Sequence, residues 1–363
     1  MEFSFSDHSH RRYNPLTQTW VLCSPHRGKR PWLGQTEEDK NEQRPWYDPQ
    51  CYLCPGNKRA TGAQNENYQT TYVFPNDYPA VHSDQPPCTP NDLAQVAGSD
   101  AASDLFRVES VRGQCKVVCF SPRHDLTLAE LTVEEIKQIV HAWQHIYKEM
   151  SADPTIEYVQ LFENKGSMMG CSNPHPHGQV WALSDVPNEP AKEIASFKSF
   201  SSTKHTCLLC SYVTAEQANS SNEATNRVVL QNDSFAVVVP FWAVWPFEAM
   251  IVAKDHISHV GQLNGKQVED LAQAMQGLTI RYDNLFQSSF PYSMGLHQSP
   301  TANHADAEYC HLHLHFYPPL LRSATVRKFL VGFEMMAEPQ RDLTAEQAAA
   351  RLRAQSPVHY KHT

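Results

Sequence analysis

Apolar residues recur at helical spacing through Ile136, Ile139, Val140, Trp143, Ile146, Tyr147 and Met150, as one buried helix face requires. Thr132 followed by Glu135 forms a capping-box signature, so the pattern predicts a helix beginning just after Thr132. A second run with the same period, Val268, Leu271, Met275 and Leu278, predicts a second helix. Each helix follows a β-rich run ending in a histidine, Lys116 to His124 and Ala249 to His256. The Ala- and Arg-rich segment from Thr344 to Ala354 predicts a C-terminal helix. Ser83 to Asp104, rich in Pro, Asp, Ser and Ala, reads as a long loop, and Asn188 to Asn226 as a polar connection.

These elements repeat in order. Two CxxC pairs, Cys51/Cys54 and Cys207/Cys210, are each followed by Asn-Asp, at Asn76-Asp77 and Asn232-Asp233, and the interval from 54 to 76 equals that from 210 to 232. The step from His124 to Leu131 equals that from His256 to Leu263. Both series close on alternating histidines, His175-Pro-His177 in one and His311-Leu-His313-Leu-His315 in the other. Matching order and offsets predict an internal duplication, with two similar α+β halves spanning residues 1–187 and 188–363.

The chain's 363 residues suffice for one large core or two medium ones. Hydrophobic residues at 41% and charged residues at 19% are ordinary for a globular protein. The start of the chain carries no basic segment leading into an apolar run, and no stretch approaches about 18 uninterrupted apolar residues. The expectation is a cytosolic protein that contacts no membrane. Its ten cysteines are then expected as thiols, metal ligands or redox centres rather than disulfides. A net charge of −9 argues against broad nucleic-acid binding. An anionic substrate would need local cations, for which Arg27, Lys29, Arg30, Lys165, Arg322, Arg327 and Lys328 are candidates. The nineteen histidines fall in clusters, and histidine serves as metal ligand, nucleophile and acid/base.

Side chains alternate along a strand, so His175, His177 and Gln179 are expected on one face. The preceding Gly170-Cys171-Ser172-Asn173-Pro174 is a turn-rich loop whose N–H groups could cradle phosphate oxygens. One imidazole could attack phosphorus while the amide and the loop stabilise the charge that develops. The plainer alternative is a pair of surface or metal-only histidines. Cys51 and Cys54 with His124 and His175 supply two thiolates and two imidazoles, which suit a closed, structural tetrahedral zinc.

The segment Phe162-Glu163-Asn164-Lys165-Gly166 with Gly170-Cys171-Ser172-Asn173-Pro174-His175-Pro176-His177-Gly178-Gln179-Val180-Trp181 resembles the active-site segment of the galactose-1-phosphate uridylyltransferases, a branch of the histidine-triad superfamily. The resemblance extends over nearly the whole chain, through Arg11 to Leu16, His26 to Trp32, Val239 to Trp242, Arg281 to Phe286 and Phe316 to Phe329. It implies two histidine-triad-like halves with antiparallel-rich mixed sheets and helices packed on one side. It also implies that His177 is the nucleophile for a uridylyl group passing between UDP-glucose and galactose 1-phosphate, with Gln179 beside it. Sugar phosphates are good leaving groups, so a glutamine that donates a hydrogen bond suffices where a proton shuttle is not needed. Arg27, Lys29, Arg30, Asn76, Asp77, Asn164, Gly170, Cys171, Ser172, Gln179, Lys328, Phe329, Val331 and Gln340 match the family's nucleotide-sugar contacts. Lys328, Phe329, Val331 and Gln340 would come from a partner subunit, which implies a homodimer.

The resemblance also implies zinc at Cys51, Cys54, His124 and His175, and a second metal, iron or zinc, at Glu193, His297, His313 and His315. Cys207 and Cys210 depart from that pattern. By the internal repeat they would join His256 and His313 in a copy of the first zinc site, although His313 cannot easily serve both arrangements; equally, they are ordinary thiols. Competing functions are a nucleotide-sugar phosphorylase of the same superfamily, delivering an adenylyl group to phosphate, and a zinc-dependent binding module without turnover.

Overall fold

The computed structural model describes residues 3–29, 44–89, 92, 105–301 and 304–362. Arg30 and most of the expected loop from Ser83 to Asp104 lie outside the described residues. In chain order the strands are β1 (His10–Asn14), β2 (Thr19–Cys23), β3 (Tyr72–Pro75), β4 (Gly113–Cys119), β5 (Tyr158–Lys165), β6 (His177–Leu183), β7 (Val228–Gln231), β8 (Phe235–Val238), β9 (Ala249–Ala253), β10 (Tyr292–His297), β11 (His313–Tyr317), β12 (Leu320–Ser323), β13 (Val326–Arg327) and β14 (Gln340–Arg341). The helices are α1 (Val133–Ser151), α2 (Asn188–Lys204), α3 (Leu208–Asn219), α4 (Gly265–Phe286), α5 (Phe333–Met336) and α6 (Ala345–Arg353).

One nine-stranded sheet runs in the order β3-β4-β6-β5-β10-β11-β9-β8-β7, with every neighbouring pair antiparallel. The order mirrors itself about the junction of β5 with β10: β3-β4-β6-β5 on one side answers β8-β9-β11-β10 on the other. At the seam Leu161 pairs with Leu296 and Asn164 with Ser293. Smaller sheets join β1, β2 and β14, the last parallel to β2, and β12 with β13.

The expected helices are present. Thr132 and Glu135 form a complete capping box on α1, and Asn264 and Gln267 form its counterpart on α4. The predicted apolar face of α1 is buried, as are Val268, Leu271, Met275 and Leu278 of α4. Both helices lie on one face of the sheet, over Val118, Val159, Leu161, Val180 and Ala182 from the first half and Phe235, Val237, Ala249 and Ile251 from the second. The C-terminal helix α6 adds Ala345, Ala348, Ala349 and Leu352 to the same core.

Alternate residues of these strands face the other way. In the first half that face carries the partly buried His177, Gln179 and Trp181 of β6. In the second half it carries Ala236, Val238, Met250 and Val252, covered by Phe197 of α2 and by Leu208, Leu209 and Val213 of α3. The segment expected as a polar connection, 188–226, is therefore largely helical. Its few apolar residues become a buried stripe only because a strand face lies beneath them.

Candidate functional site

His177 and Gln179, two residues apart on β6, line a cleft of about 280 Å³ together with Tyr52, Leu53, Ala60, Phe74, Asn76, Asp77, Tyr78 and Val117. Gly178 between them packs so closely that an added Cβ would lie 2.9 Å from the Phe162 carbonyl oxygen and 2.8 Å from the Phe120 ring. Only glycine lets β6 sit this deep. The His177 Nδ1 lies 2.7 Å from the His175 carbonyl oxygen. A carbonyl can only accept, so Nδ1 carries the proton and Nε2 keeps its lone pair. Burial pushes the His177 pKa down, partly opposed by that carbonyl, and so favours the neutral ring. The Gln179 Oε1 accepts from the Trp181 indole N–H at 3.3 Å, which leaves its NH2 group available as a donor.

Around the cleft, Asn76 Oδ1 accepts the Tyr78 N–H at 2.9 Å, an Asx turn that fixes the Asn76-Asp77 corner. Asp77 pairs with Arg59 at 3.3 Å and accepts from the Thr61 hydroxyl at 3.1 Å. Asn164 Oδ1 accepts from the Ser293 hydroxyl of β10 at 2.6 Å. The loop holding Gly170, Cys171 and Ser172 depends on Gly166 and Gly170, whose φ angles of 89° and 77° favour glycine. Cys171 donates through its thiol to the Asn173 carbonyl at 3.1 Å, and Asn173 Oδ1 accepts the His175 N–H at 3.0 Å.

His175 does not share the cleft. It precedes β6, so strand alternation does not govern it, and it is buried in a cluster with Cys51, Cys54 and His124 whose candidate ligand atoms lie within 4.8 Å of one another. Its Nδ1 is 3.5 Å from the Cys54 sulfur, and the His124 Nδ1 is 3.6 Å from the same sulfur. The His175 Nε2–H donates to the Ser121 carbonyl at 2.9 Å, and burial brings its pKa down to about 3. Two thiols and two imidazole lone pairs converging on one point fit a tetrahedral zinc ion.

The second half contains two such groups. Glu193 of α2 meets His297 Nδ1 at 2.8 Å and lies 3.4 Å from Nε2 of both His313 and His315. Those two Nε2 atoms are buried and make no hydrogen bond, which fits a cation held among them. Cys207, Cys210 and His256 gather not with His313, as the repeat suggested, but with His311. The correction has the same cause as for His175: His311 precedes β11 and turns to the sulfurs, while His313 lies within the strand. One residue is thus not required in two places.

Register reveals a further correspondence. Phe162 pairs with Gln179 and Gly295 with His315; continued by two residues, the first register sets Asn164 opposite His177, just as His297 pairs with His313. Asn164, His177 and Gln179 therefore occupy the positions that His297, His313 and His315 occupy in the other half.

Several expected substrate contacts stand elsewhere in this chain. Arg27 is exposed, with Nε 3.8 Å from Asp342, and Lys29 ends the turn Pro25–Lys29. Lys328 lies 3.4 Å from Glu334, Phe329 and Val331 are exposed, and Gln340 is buried in β14 with its amide donating to Asp342 at 2.7 Å. Arg27, Lys328, Phe329, Val331 and Gln340 do not line the cleft. Lys165, expected as a substrate-facing cation, is instead buried against Asp283 at 3.0 Å. Sequence reasoning missed Tyr52, Ala60 and Tyr78 in the cleft and Arg59 behind Asp77. Their signal was nearness along the chain: Tyr52 lies inside the CxxC pair, Arg59 and Ala60 soon follow it, and Tyr78 adjoins Asp77.

Residues 1–187 match the family described as galactose-1-phosphate uridyl transferase, N-terminal domain, and residues 193–363 match its C-terminal domain. The chain is 52% identical over 366 residues to the galactose-1-phosphate uridylyltransferase of Saccharomyces cerevisiae, covering 99% of this chain and 98% of that protein. It is 50% identical to that of Haemophilus influenzae, covering 99% and 98%. Among solved structures, one described as a uridylyltransferase superposes with a TM-score of 0.71 at 28% identity, covering 96% of this chain and 98% of the other. An ADP-glucose phosphorylase from Arabidopsis thaliana shares the fold with a TM-score of 0.73 at 24% identity, covering 96% and 99%. With both halves matched and half of all positions identical to whole-length relatives, this chain belongs to the galactose-1-phosphate uridyl transferase family.

Proposed function

We propose that the chain is a nucleotidyltransferase converting UDP-glucose and galactose 1-phosphate to glucose 1-phosphate and UDP-galactose through a uridylyl group carried on His177. The observation that carries this reading is the His177 ring itself: Nδ1–H is held by the His175 carbonyl at 2.7 Å, and the ring lines the cleft. Nε2 attacks the α-phosphorus of UDP-glucose. The bond from that phosphorus to the bridging oxygen breaks, and glucose 1-phosphate leaves with the electron pair. A phosphate oxygen of galactose 1-phosphate then attacks the same phosphorus, and Nε2 leaves with its lone pair restored. Neither step transfers a proton from His177, so Gln179 need only donate a hydrogen bond to a phosphoryl oxygen.

Asn76, Asp77, Asn164 and the loop through Gly170, Cys171 and Ser172 are read as contacts for the nucleotide sugar. Arg27, Lys29 and Arg30 would neutralise its phosphates. Lys328, Phe329, Val331 and Gln340 are read as contacts supplied by a partner subunit in a homodimer. In support, Phe329, Val331, Phe333, Met335 and Met336 form an exposed apolar run, as an uncovered interface would. Cys51, Cys54, His124 and His175 would hold zinc, which would brace the entry to β6, and Glu193, His297, His313 and His315 a second ion, iron or zinc. The half from 1 to 187 carries the chemistry and the half from 188 to 363 the second ion and the subunit contacts. No helix among the described residues is long and apolar enough to cross a membrane, and the cytosol is the compartment we infer.

The test is intact mass after exposure to UDP-glucose under an alkaline quench, which spares the phosphorus–nitrogen bond. One uridylyl mass should appear on the peptide bearing His177, and galactose 1-phosphate should discharge it as UDP-galactose. An active enzyme that never shows the adduct, and that needs both sugar phosphates bound together, replaces this mechanism with direct displacement. Turnover of ADP-glucose with phosphate, in place of uridylyl transfer, would move the chain to phosphorylase activity.

A further inference from the structure

Among the described residues, the chemistry proposed for His177 leaves the group around Cys207 and Cys210 unused. We propose that Cys207, Cys210, His256 and His311 form a third metal site, a structural zinc site that coexists with the Glu193 cluster. The inference rests on the geometry of the second half and not on the catalytic reading.

Protonation states make the case. The His311 Nε2 lies 2.7 Å from the Ala253 carbonyl oxygen and the His256 Nε2 lies 2.9 Å from that of Glu308. Carbonyls only accept, so both Nε2 atoms carry protons and both Nδ1 atoms present lone pairs. The single Nδ1 lone pair of His311 is 3.4 Å from the Cys207 sulfur and 3.5 Å from that of Cys210, while His256 Nδ1 lies 3.8 Å from Cys210. Two sulfurs and two imidazole lone pairs therefore converge, with all four atoms within 4.8 Å of one another. A cation at the centre engages all four at once, because both thiols can then be thiolates. The separations agree with one: zinc bonds of about 2.3 Å to sulfur and about 2.0 Å to nitrogen, at a tetrahedral angle, set sulfur and nitrogen roughly 3.5 Å apart.

The surroundings are built for such a site. Cys207 is the N-cap of α3 and its sulfur accepts the Cys210 N–H at 3.5 Å, so the helix N-terminus favours thiolates there. In the first half the same arrangement holds His175 by the Ser121 carbonyl at 2.9 Å, as Ala253 holds His311. The site would clamp the start of α3, the segment after β9 and the entry to β11. The His311 carbonyl also receives the His313 Nδ1–H at 2.7 Å, so an ion on His311 would steady a residue of the Glu193 cluster.

The experiment counts metal in full-length protein purified without chelators, by elemental analysis and by native mass spectrometry of the folded species. Cys207→Ser/Cys210→Ser should carry one zinc equivalent fewer per chain than wild type, whereas Glu193→Gln should keep that zinc. In protein reconstituted with cobalt, the thiolate-to-cobalt absorption should fall by about half in the double variant, since two of the four ligand thiols are gone. Should the double variant fail to fold, His256→Gln at the exposed rim should lose zinc to a chelator more readily than wild type. Unchanged zinc content in the folded double variant, unchanged chelator resistance in His256→Gln, or a Cys207–Cys210 disulfide in protein kept under anaerobic conditions would each overturn the proposal.

Discussion

The sheet face that bears His177 in the first half is open, while the same face in the second half is roofed by α2. The backbones beneath are alike. His177 Nδ1–H is held by the carbonyl two residues before it at 2.7 Å, and so is His313 Nδ1–H. In both halves, then, Nε2 keeps its lone pair. What differs is what that nitrogen meets: a cleft of about 280 Å³ for His177, and Glu193 at 3.4 Å for His313, beside the Phe197 ring of the roof at 6.3 Å. Strand geometry makes a histidine able to act as nucleophile or ligand, and the element packed above it decides which role is open.

That comparison can be broken most sharply at His177. His177→Asn should lower transfer by roughly 10⁴-fold or more, as loss of a covalent nucleophile does, with metal content and melting temperature near those of wild type. Retained transfer would mean that the open ring is no more reactive than the roofed one. Next in size is the ligand set beside it. Cys54→Ser should lose one zinc equivalent and cost several kcal/mol of stability, read by metal analysis with thermal unfolding; full zinc occupancy would remove the metal from the first half.

A third difference lies at the seam. Glu163 of β5 takes the position that Leu296 takes in β10, and burial raises its pKa to about 7, opposed by Lys165 and by a hydrogen bond from the Tyr292 hydroxyl at 3.1 Å. A raised carboxyl pKa gives stability that is full below the unfolded pKa and is lost as pH rises through the folded one. Wild type should therefore lose up to about 3 kcal/mol from this group between about pH 4.5 and 7. Glu163→Gln should flatten that slope in denaturant titrations across the range; an unchanged slope would place the pH response elsewhere. The smallest effects test likeness rather than difference. Thr132→Ala and Asn264→Ala each remove a capping box and should each cost about 1 kcal/mol, and markedly unequal chemical-denaturation midpoints would show that α1 and α4 are not equivalent.

What the sequence made legible was local or periodic. Both long helices, the cap of α1 and the repeated order of elements follow from local spacing, which a buried helix face and its cap must keep. The two misplaced histidines share one cause. Alternation sets His175 with His177, and the internal repeat sets His313 with Cys207 and Cys210, as though each histidine run lay wholly within a strand, yet β6 begins at His177 and β11 at His313. The residue two places earlier is still in the turn, free to point at sulfur. The roof was illegible for another reason: Ile194, Phe197, Leu208, Leu209 and Val213 are too sparse to mark a helix face unless the strands beneath are known. Lys165 looked like a phosphate-binding cation because nothing in its neighbourhood of the chain announces Asp283, far along the sequence and buried with it.

The seam between β5 and β10 also bears on how the protein is made. When the ribosome has released β6, the first half holds every strand of its own part of the sheet, yet β5 presents a bare row of N–H and C=O groups until β10 emerges more than a hundred residues later. An uncovered strand edge invites pairing with another chain. The nascent protein thus passes through a stage in which the strand bearing His177 is assembled but an adhesive edge beside it is exposed, and Asn164 still waits for the hydroxyl of Ser293 that will hold it.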